Sequence, residues 1–93
     1  MKTKYTVKAT NKFKKDYKLA LKRGLPVELL NEIIKKLANG DSLSPENRDH
    51  ALSGNWANFR ECHILPDWLL VYQIYEDVLV LSLARTGSHS DIF

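Results

Sequence analysis

Three histidines, His50, His63 and His89, are the residues of this 93-residue chain best suited to acid–base chemistry. A free imidazole titrates at about pH 6.5, so it can take up or release a proton near neutrality. Cleavage of RNA needs such groups, because one must remove the proton of a ribose 2′-hydroxyl and another must protonate the departing 5′-oxygen. The nucleophile belongs to the substrate, so no serine or cysteine of the protein has to be activated.

Two carboxylates are predicted to lie close to one of these imidazoles. If residues 56–65 form a strand, side-chain alternation places Glu61 and His63 on the same face. Asp67 lies at the turn into the next strand, also near His63. The pattern therefore predicts a cluster of imidazole and carboxylate groups at this end of a sheet.

Arginine and aromatic side chains could complete a site for RNA. Arg85 is predicted to end the last strand and to deliver the chain to His89. Its fixed fork of donors could stabilise the charge that develops on phosphorus. Trp68 or Phe93 could stack an unpaired base, an interaction that contributes about 1–3 kcal/mol.

Each of these residues also has a structural interpretation. A histidine at a strand end is commonly a satisfied surface group, and Trp68 could belong to the core. Asp67 follows a proline and could simply form a turn. Arg85 could pair with Glu61. The pattern by itself leaves these alternatives open.

A metal site is the second chemical hypothesis, since three histidines and Asp67 could supply nitrogen and oxygen ligands. However, the sequence has no paired histidines at short spacing on one element and no cysteine pair. We therefore expect no metal and no other cofactor. Cys62 is a poor candidate nucleophile, because strand alternation turns it away from His63.

Two helices are predicted to follow a first strand at residues 5–9. Asn11 is a plausible cap for a helix that starts at Lys12, and Gly24 is placed to end it. A second helix is predicted between Pro26 and Gly40. The apolar positions that mark one face of each helix are Phe13, Tyr17, Ala20 and Leu21 in the first, and Leu29, Leu30, Ile33, Ile34 and Leu37 in the second.

The second half of the chain is predicted to be a meander. Residues 41–55 are polar and contain Pro45 and Gly54, which indicates a long loop. Three strands follow at residues 56–65, 68–75 and 78–84, and their short connections require antiparallel neighbours. Residues 85–93 form a polar tail whose final two apolar residues could dock back. The fold class predicted is α+β, in the order β-α-α-β-β-β: an antiparallel sheet, with an N-terminal helical hairpin packed on one face, within a single domain spanning residues 1–93.

Charge is distributed unevenly along the chain. The net charge is +3, yet residues 1–23 carry nine Lys and Arg against Asp16 alone. A positive segment of this kind suggests a polyanionic partner, although from charge alone a solvated lysine-rich helix face is the commoner explanation. The single cysteine gives no sign of an oxidising compartment, and no stretch is long and apolar enough to predict secretion or a membrane span. We expect a cytoplasmic protein without membrane contact.

Several motifs follow one another along the chain: Asp49-His50, Gly54-Asn-Trp56, His63-Ile-Leu-Pro66-Asp67-Trp68, Arg85-Thr86-Gly87-Ser88-His89 and the final Phe93. Together they resemble the YafQ-type mRNA interferases of the RelE/ParE superfamily. The resemblance spans almost the whole chain, and its set of motifs separates this subgroup from gyrase-inhibiting relatives that lack the histidines. Two positions depart from the family pattern, Glu61 for a shorter acid and Cys62 for a small apolar residue.

The resemblance implies a toxin of a type II toxin–antitoxin system that cleaves mRNA in the ribosomal A site. It implies a cognate antitoxin as partner, with DNA reached only indirectly, through the toxin–antitoxin complex that represses the operon. The catalytic set carried over is His50, His63, Asp67 and His89, and the residues carried over for substrate binding are Trp68, Arg85 and Phe93.

Roles follow from the same resemblance. His89 is expected to be the general acid and either Asp67 or His50 the general base, while His63 and Arg85 stabilise the phosphate. One alternative is a toxin of the same fold that does not cleave RNA and binds a protein such as gyrase. Another is an inactive binding module. The lysines expected to contact ribosomal RNA are Lys12, Lys14, Lys15, Lys18 and Lys22.

Overall fold

The computed structural model describes residues 4–75 and 80–93. Helices pack on a five-stranded sheet, so the predicted α+β class is confirmed. The strands are β1 (Thr6–Ala9), β2 (His50–Ala51), β3 (Arg60–Leu65), β4 (Trp68–Tyr75) and β5 (Val80–Gly87), and the helices are α1 (Asn11–Lys22), α2 (Val27–Asn39) and α3 (His89–Ile92).

The sheet has the strand order β1-β5-β4-β3-β2. Strands β2 to β5 are antiparallel, as the short connections predicted, but β1 pairs with β5 in parallel. The sheet is therefore mixed rather than wholly antiparallel. A tight turn fixes the direction of consecutive strands only, whereas β1 and β5 are joined through both helices and the other three strands, so no short connection fixes their relative direction.

The helix ends follow local backbone chemistry. Thr10, not Asn11 as predicted, caps α1: its hydroxyl oxygen accepts a hydrogen bond from the amide of Phe13 at 3.1 Å. The same hydroxyl donates to the carbonyl of Ala84 at 2.9 Å, which fastens the start of α1 to β5. Gly24 and Gly40 adopt the left-handed backbone conformation at the two helix ends, as predicted. Within residues 4–75 and 80–93, no helix is sufficiently long and apolar to cross a membrane.

The hydrophobic core lies between the helices and one face of the sheet. Leu21 and Leu29 belong to the predicted apolar faces but are 53% and 37% exposed, because they lie at the margins of the buried stripes. The buried helix residues are Phe13, Ala20, Leu30, Ile33, Leu37 and Ala38, and the main sheet residues packed with them are Cys62, Ile64, Trp68, Leu70, Tyr72 and Leu83.

The predicted loop at residues 41–55 contains regular structure. It holds a 3-10 turn at Pro45–Asn47, the two-residue strand β2, and the start of a second 3-10 turn at Gly54–Trp56. Strand β3 consequently begins at Arg60 rather than at residue 56. Two paired residues carry too little periodicity to be recognised from sequence, so β2 appears only through its pairing with β3.

The chain after residue 80 is more ordered than a polar tail. Strand β5 extends to Gly87, and the predicted strand start at residues 78 and 79 lies outside the described residues. Helix α3 then begins with a reciprocal cap, in which the Ser88 hydroxyl accepts from the amide of Asp91 and the Asp91 carboxylate accepts from the amide of Ser88. This short helix carries His89.

Candidate active site

A buried carboxylate, Glu61, lies at the centre of the candidate site. Cys62 and Ile64 of β3 point into the core, so alternation places Glu61 and His63 on the opposite face of the sheet. Glu61 is 3% exposed, and it is paired across the sheet with His50 of β2. A buried carboxylate needs partners of complementary charge or hydrogen-bonding capacity.

The partners of Glu61 are the three histidines. The distance from each imidazole Nε2 to Glu61 Oε1 is 3.2 Å for His63, 3.8 Å for His89 and 3.9 Å for His50. The rings of His63 and His89 have their centroids 6.0 Å apart. Three imidazoles from the 41–55 segment, from β3 and from α3 thus meet at one point. We call His50, His63, His89 and Glu61 the histidine cluster.

Backbone carbonyl groups orient two of these rings. His50 Nδ1 lies 2.6 Å from the carbonyl oxygen of Arg48, and His63 Nδ1 lies 3.2 Å from that of Pro66. A carbonyl only accepts, so each contact needs a hydrogen on Nδ1. Nε2 is then the atom that gains or loses a proton, and it is the atom that faces Glu61. Both rings are therefore set up to exchange a proton at Nε2.

The 41–55 segment is anchored to the sheet beside His50. Asn47 donates a side-chain hydrogen bond to the carbonyl of His63 at 2.8 Å. On the core side, the carboxylate of Asp49 accepts from the hydroxyl of Tyr72 at 2.6 Å and from Arg60 Nε at 3.2 Å. Burial, followed by the hydrogen bond to Asp49, raises the pKa of Tyr72. These bonds to β3 and β4 hold the short strand that carries His50.

Cys62 is expected to be an unreactive thiol. It is fully buried in the core, and this burial, with the nearby charges of Asp49 and Glu61, raises the pKa of its thiol to about 12. A thiol of this kind holds almost no thiolate near neutral pH. This agrees with the prediction that Cys62 is not a nucleophile.

The structure does not bring Asp67 into contact with the histidines. Asp67 is exposed in the turn between β3 and β4, and it makes no hydrogen bond or ion pair with another described residue. The carboxylate at the convergence point is Glu61. Strand alternation predicts Glu61 beside His63, but the catalytic set carried over from the family contains Asp67 and lacks Glu61. The catalytic role of Asp67 stays a prediction.

Trp68 is a core residue. It is 3% exposed and packs in the cluster formed by the helices and the sheet, so a base cannot stack on its ring in this structure. The prediction that Trp68 stacks a base is therefore wrong for this conformation. The structural alternative, packing, is the one observed. Its indole N–H has no hydrogen-bond partner among the described residues.

Arg85 is held by a carboxylate of α1. Its Nε donates to Asp16 at 2.7 Å and its Nη2 donates to the other oxygen of the same carboxylate at 3.2 Å. This hydrogen bonding to Asp16 raises the pKa of Arg85. The amide of Thr86 also donates to Asp16, at 3.2 Å. Arg85 therefore pairs with Asp16 rather than with Glu61, and its predicted phosphate contact stays a prediction.

A second ion pair fastens α3, the helix that carries His89. Arg23 Nη1 lies 3.1 Å from Asp91 Oδ2, and Arg85 Nη2 lies 3.5 Å from the carbonyl oxygen of Asp91. The amide of Ser88 and then the guanidinium of Arg23 lower the pKa of Asp91. We call Asp16, Arg23, Arg85 and Asp91 the ion-paired corner, since these residues join α1, β5 and α3.

Phe93 belongs to an exposed aromatic group beside His89. Its ring is 5.7 Å from that of Trp56 and 5.8 Å from that of His89, measured between centroids. Trp56 in turn meets Phe59 edge to face at 5.3 Å. Phe93 is 53% exposed, which leaves its ring accessible. Its predicted contact with a base is compatible with this position and stays a prediction.

The basic residues of the first helix form a surface of their own. The five lysines are all exposed on or at the end of α1, and none has an ion pair in the part of the chain that the structure describes. The predicted contact with ribosomal RNA is not tested by these positions. The residues are Lys12, Lys14, Lys15, Lys18 and Lys22.

Comparison with known proteins identifies relatives along nearly the whole chain. The family model described as "Bacterial toxin of type II toxin-antitoxin system, YafQ" matches residues 5–93. The mRNA interferase toxin YafQ of Escherichia coli K12 is 33% identical over 88 residues, which cover 94% of each chain. The resemblance inferred from the motifs is confirmed.

Solved structures of toxins have the same fold. A metal-bound toxin from Helicobacter pylori is 44% identical, with a TM-score of 0.90 over 96% of this chain and 99% of that one. The Escherichia coli DinJ–YafQ toxin–antitoxin complex contains a chain 32% identical, with a TM-score of 0.88 over 97% of this chain and 98% of that one. The metal is a property of the Helicobacter protein. Within residues 4–75 and 80–93 of the present chain, no group of three or more His, Cys, Asp or Glu side chains has the geometry of a metal site.

Proposed function

Because the chain belongs to the YafQ family of bacterial toxins of type II toxin–antitoxin systems, we propose that it is a ribosome-dependent endoribonuclease. Its substrate in this proposal is mRNA in the ribosomal A site. The observation that carries the proposal is the convergence of three imidazole Nε2 atoms on Glu61. The Escherichia coli relative named as an mRNA interferase supports the choice of substrate.

The proposed reaction is attack of a ribose 2′-hydroxyl on the adjacent phosphorus. A general base removes the hydroxyl proton, the 2′-oxygen forms a bond to phosphorus, and the bond from phosphorus to the 5′-oxygen breaks. A general acid gives its proton to that 5′-oxygen, so the products are a 2′,3′-cyclic phosphate and a 5′-hydroxyl. The chain supplies only proton transfer and charge stabilisation, and no step passes through a metal.

The exposure of the rings supports particular roles. The side chains of His89 and His50 are 57% and 51% exposed, so an RNA strand can reach both. We assign His89 as general acid and His50 as general base, with Asp67 as the other candidate base from the resemblance. His63 is only 12% exposed and lies nearest to Glu61, which suits stabilisation of the phosphate rather than delivery of a proton.

Glu61 has a positioning role in this scheme. Its carboxylate holds the three rings in one place and stabilises the imidazolium that forms when a ring takes up the proton of the 2′-hydroxyl. It is too deeply buried to meet the RNA itself.

The proposal includes two macromolecular partners. A cognate antitoxin is inferred from the DinJ–YafQ complex of the relative. The ribosome is inferred from the exposed lysines of α1, which are free to contact the phosphates of ribosomal RNA. Both assignments place the protein in the cytoplasm, and DNA is reached only through the complex with the antitoxin.

Primer extension on mRNA from an in vitro translation reaction tests the proposed function. The wild-type protein should leave discrete mRNA ends only when ribosomes are present, and His89→Gln should remove them with an unchanged thermal unfolding midpoint. Ser90→Ala, on the same helix, is the matched control and should cleave like the wild type. Ends formed without ribosomes would refute ribosome dependence. Inhibited gyrase with intact mRNA would favour the alternative of a non-cleaving toxin.

A further inference from the structure

Arg48 differs from the other three arginines of the chain. Arg23 pairs with Asp91, Arg60 with Asp49 and Arg85 with Asp16, at distances between 2.7 and 3.2 Å. Arg48 is exposed, and its guanidinium has no ion pair or hydrogen bond with another described residue. Among the described residues, Arg48 is therefore the one arginine without a carboxylate partner.

The position of Arg48 is next to the histidine cluster. Together with His63, Glu46 and Pro66 it lines an open cavity of about 310 Å³. Its backbone carbonyl is the group that accepts from His50 Nδ1. Arg48 thus contacts His50 through its backbone and shares a cavity with His63.

The backbone of Arg48 is unusual as well. Its φ and ψ are 48° and 46°, the left-handed conformation that favours glycine. At this point of the chain a glycine or asparagine would carry less strain. An arginine here costs stability and gains no partner among the residues that the structure describes, which is the pattern expected when a side chain serves a ligand.

We propose that Arg48 is a substrate-binding residue that holds the RNA phosphate next to the scissile one, on the His63 side of the site. A guanidinium presents two parallel N–H donors that match two phosphate oxygens. This inference rests on the proposed function and moves the phosphate-binding role from Arg85 to Arg48. Arg85 already donates from its Nε and its Nη2 to Asp16, whereas the donors of Arg48 have no partner among the described residues.

One feature of the cavity opposes an anion. Glu46 also lines it and is exposed, so its carboxylate repels a bound phosphate. The repulsion is screened by solvent, whereas the guanidinium can donate directly to the phosphate. Glu46→Gln should therefore tighten RNA binding modestly, in the direction opposite to loss of Arg48.

The test uses a trinucleotide with 2′-O-methyl riboses, which can bind but cannot be cleaved, titrated into the isolated protein and followed by NMR of the imidazole protons. Arg48→Gln should raise the Kd about tenfold, the loss expected for one charge-assisted contact. Arg48→Gly should raise it equally while relieving the backbone strain. Lys35→Gln is the control, since it removes the same charge from an exposed position on α2.

The salt dependence provides a second readout. If Arg48 neutralises one phosphate, the slope of log Kd against log salt should fall by about 0.7 in Arg48→Gln. A Kd and a slope like those of the wild type would overturn the assignment of Arg48. Failure of the proposed function is seen separately, as absence of mRNA ends with the wild-type protein, because the binding titration does not depend on cleavage.

Discussion

Helix α3 contributes one residue to each of two contrasting regions, His89 to the histidine cluster and Asp91 to the ion-paired corner. In the corner, two carboxylates pair with two guanidinium groups, and the backbone amides of Thr86 and Ser88 donate further hydrogen bonds to the same carboxylates. In the histidine cluster, three imidazoles share a single carboxylate. The ion pairs of the corner hold α3 against α1 and β5, whereas the histidine cluster leaves hydrogen-bonding capacity for a ligand.

The difference separates structural charges from functional ones. Arg85 and Arg48 are the same residue type near the same site, but Arg85 contacts Asp16 and Asp91, whereas Arg48 has no ion pair within residues 4–75 and 80–93. Residue type alone suggested a phosphate contact for Arg85. The contacts of Arg85 with Asp16 and Asp91 connect α1 and β5 with α3, the helix that carries His89, and its predicted phosphate contact stays a prediction.

The largest expected effect on stability concerns the two aromatic residues predicted to bind RNA. Trp68→Ala should lower the free energy of unfolding by about 3–5 kcal/mol, because it empties a buried site. Phe93→Ala should lower it by less than about 1 kcal/mol, since the ring is exposed, and should slow cleavage instead. Urea denaturation measures both. Equal stability of the two variants would contradict the assignment of Trp68 to the core.

An intermediate effect is expected in the ion-paired corner. Asp16→Asn and Arg85→Gln should each lower the free energy of unfolding by about 1–2 kcal/mol, a range already reduced for partial solvent exposure. Both should also slow cleavage by similar factors, and the double variant should lose little more than either single one, because the pair acts through α3. Denaturation and single-turnover cleavage supply the two readouts.

The same pair distinguishes positioning from direct contact. Asp16 is a carboxylate of α1 that would repel RNA, so slower cleavage after its loss would come from the lost hydrogen bonds to Arg85 and Thr86 rather than from a lost contact with RNA. If Arg85→Gln abolishes cleavage and Asp16→Asn leaves it unchanged, then Arg85 binds the substrate itself.

The smallest expected effect is a pH dependence at the corner. The pKa of Asp91 is lowered in the folded protein, so its contribution to stability is present above the unfolded value of about 3.9 and is lost as the pH falls through the folded value. The contribution should be below about 1 kcal/mol, because the pair is partly exposed. Stability measured between pH 2 and 6 should depend less steeply on pH in Asp91→Asn. An unchanged slope would show that Asp91 gains nothing from Ser88 and Arg23.

Local sequence patterns predicted those features of the fold that depend on residues close together in the chain. The two helices, their glycine stops, the short connections of the meander and the shared face of Glu61 and His63 all follow from periodicity and turn chemistry. The meeting of His50 and His89 with His63 came from the family motifs, since these residues lie far apart in the chain.

Contacts between distant segments could not be predicted in this way. Arg85 pairs with Asp16, which is 69 residues away in the sequence, and no spacing rule predicts that contact. The parallel pairing of β1, the two-residue strand β2 and the burial of Trp68 likewise depend on the assembled sheet. The cap at Thr10 rather than Asn11 is also decided by a distant partner, the carbonyl of Ala84.

The central claim is that His50, His63 and His89 act together on one phosphodiester, and single-turnover cleavage rates of their glutamine variants test it most directly. Each single substitution should slow cleavage by about 100-fold or more. The double variant His50→Gln/His89→Gln should be slowed by much less than the product of the two single factors, because the effects of groups that act as a unit are not additive. Any one of the three variants cleaving within about twofold of the wild-type rate, while still folded, would contradict the claim.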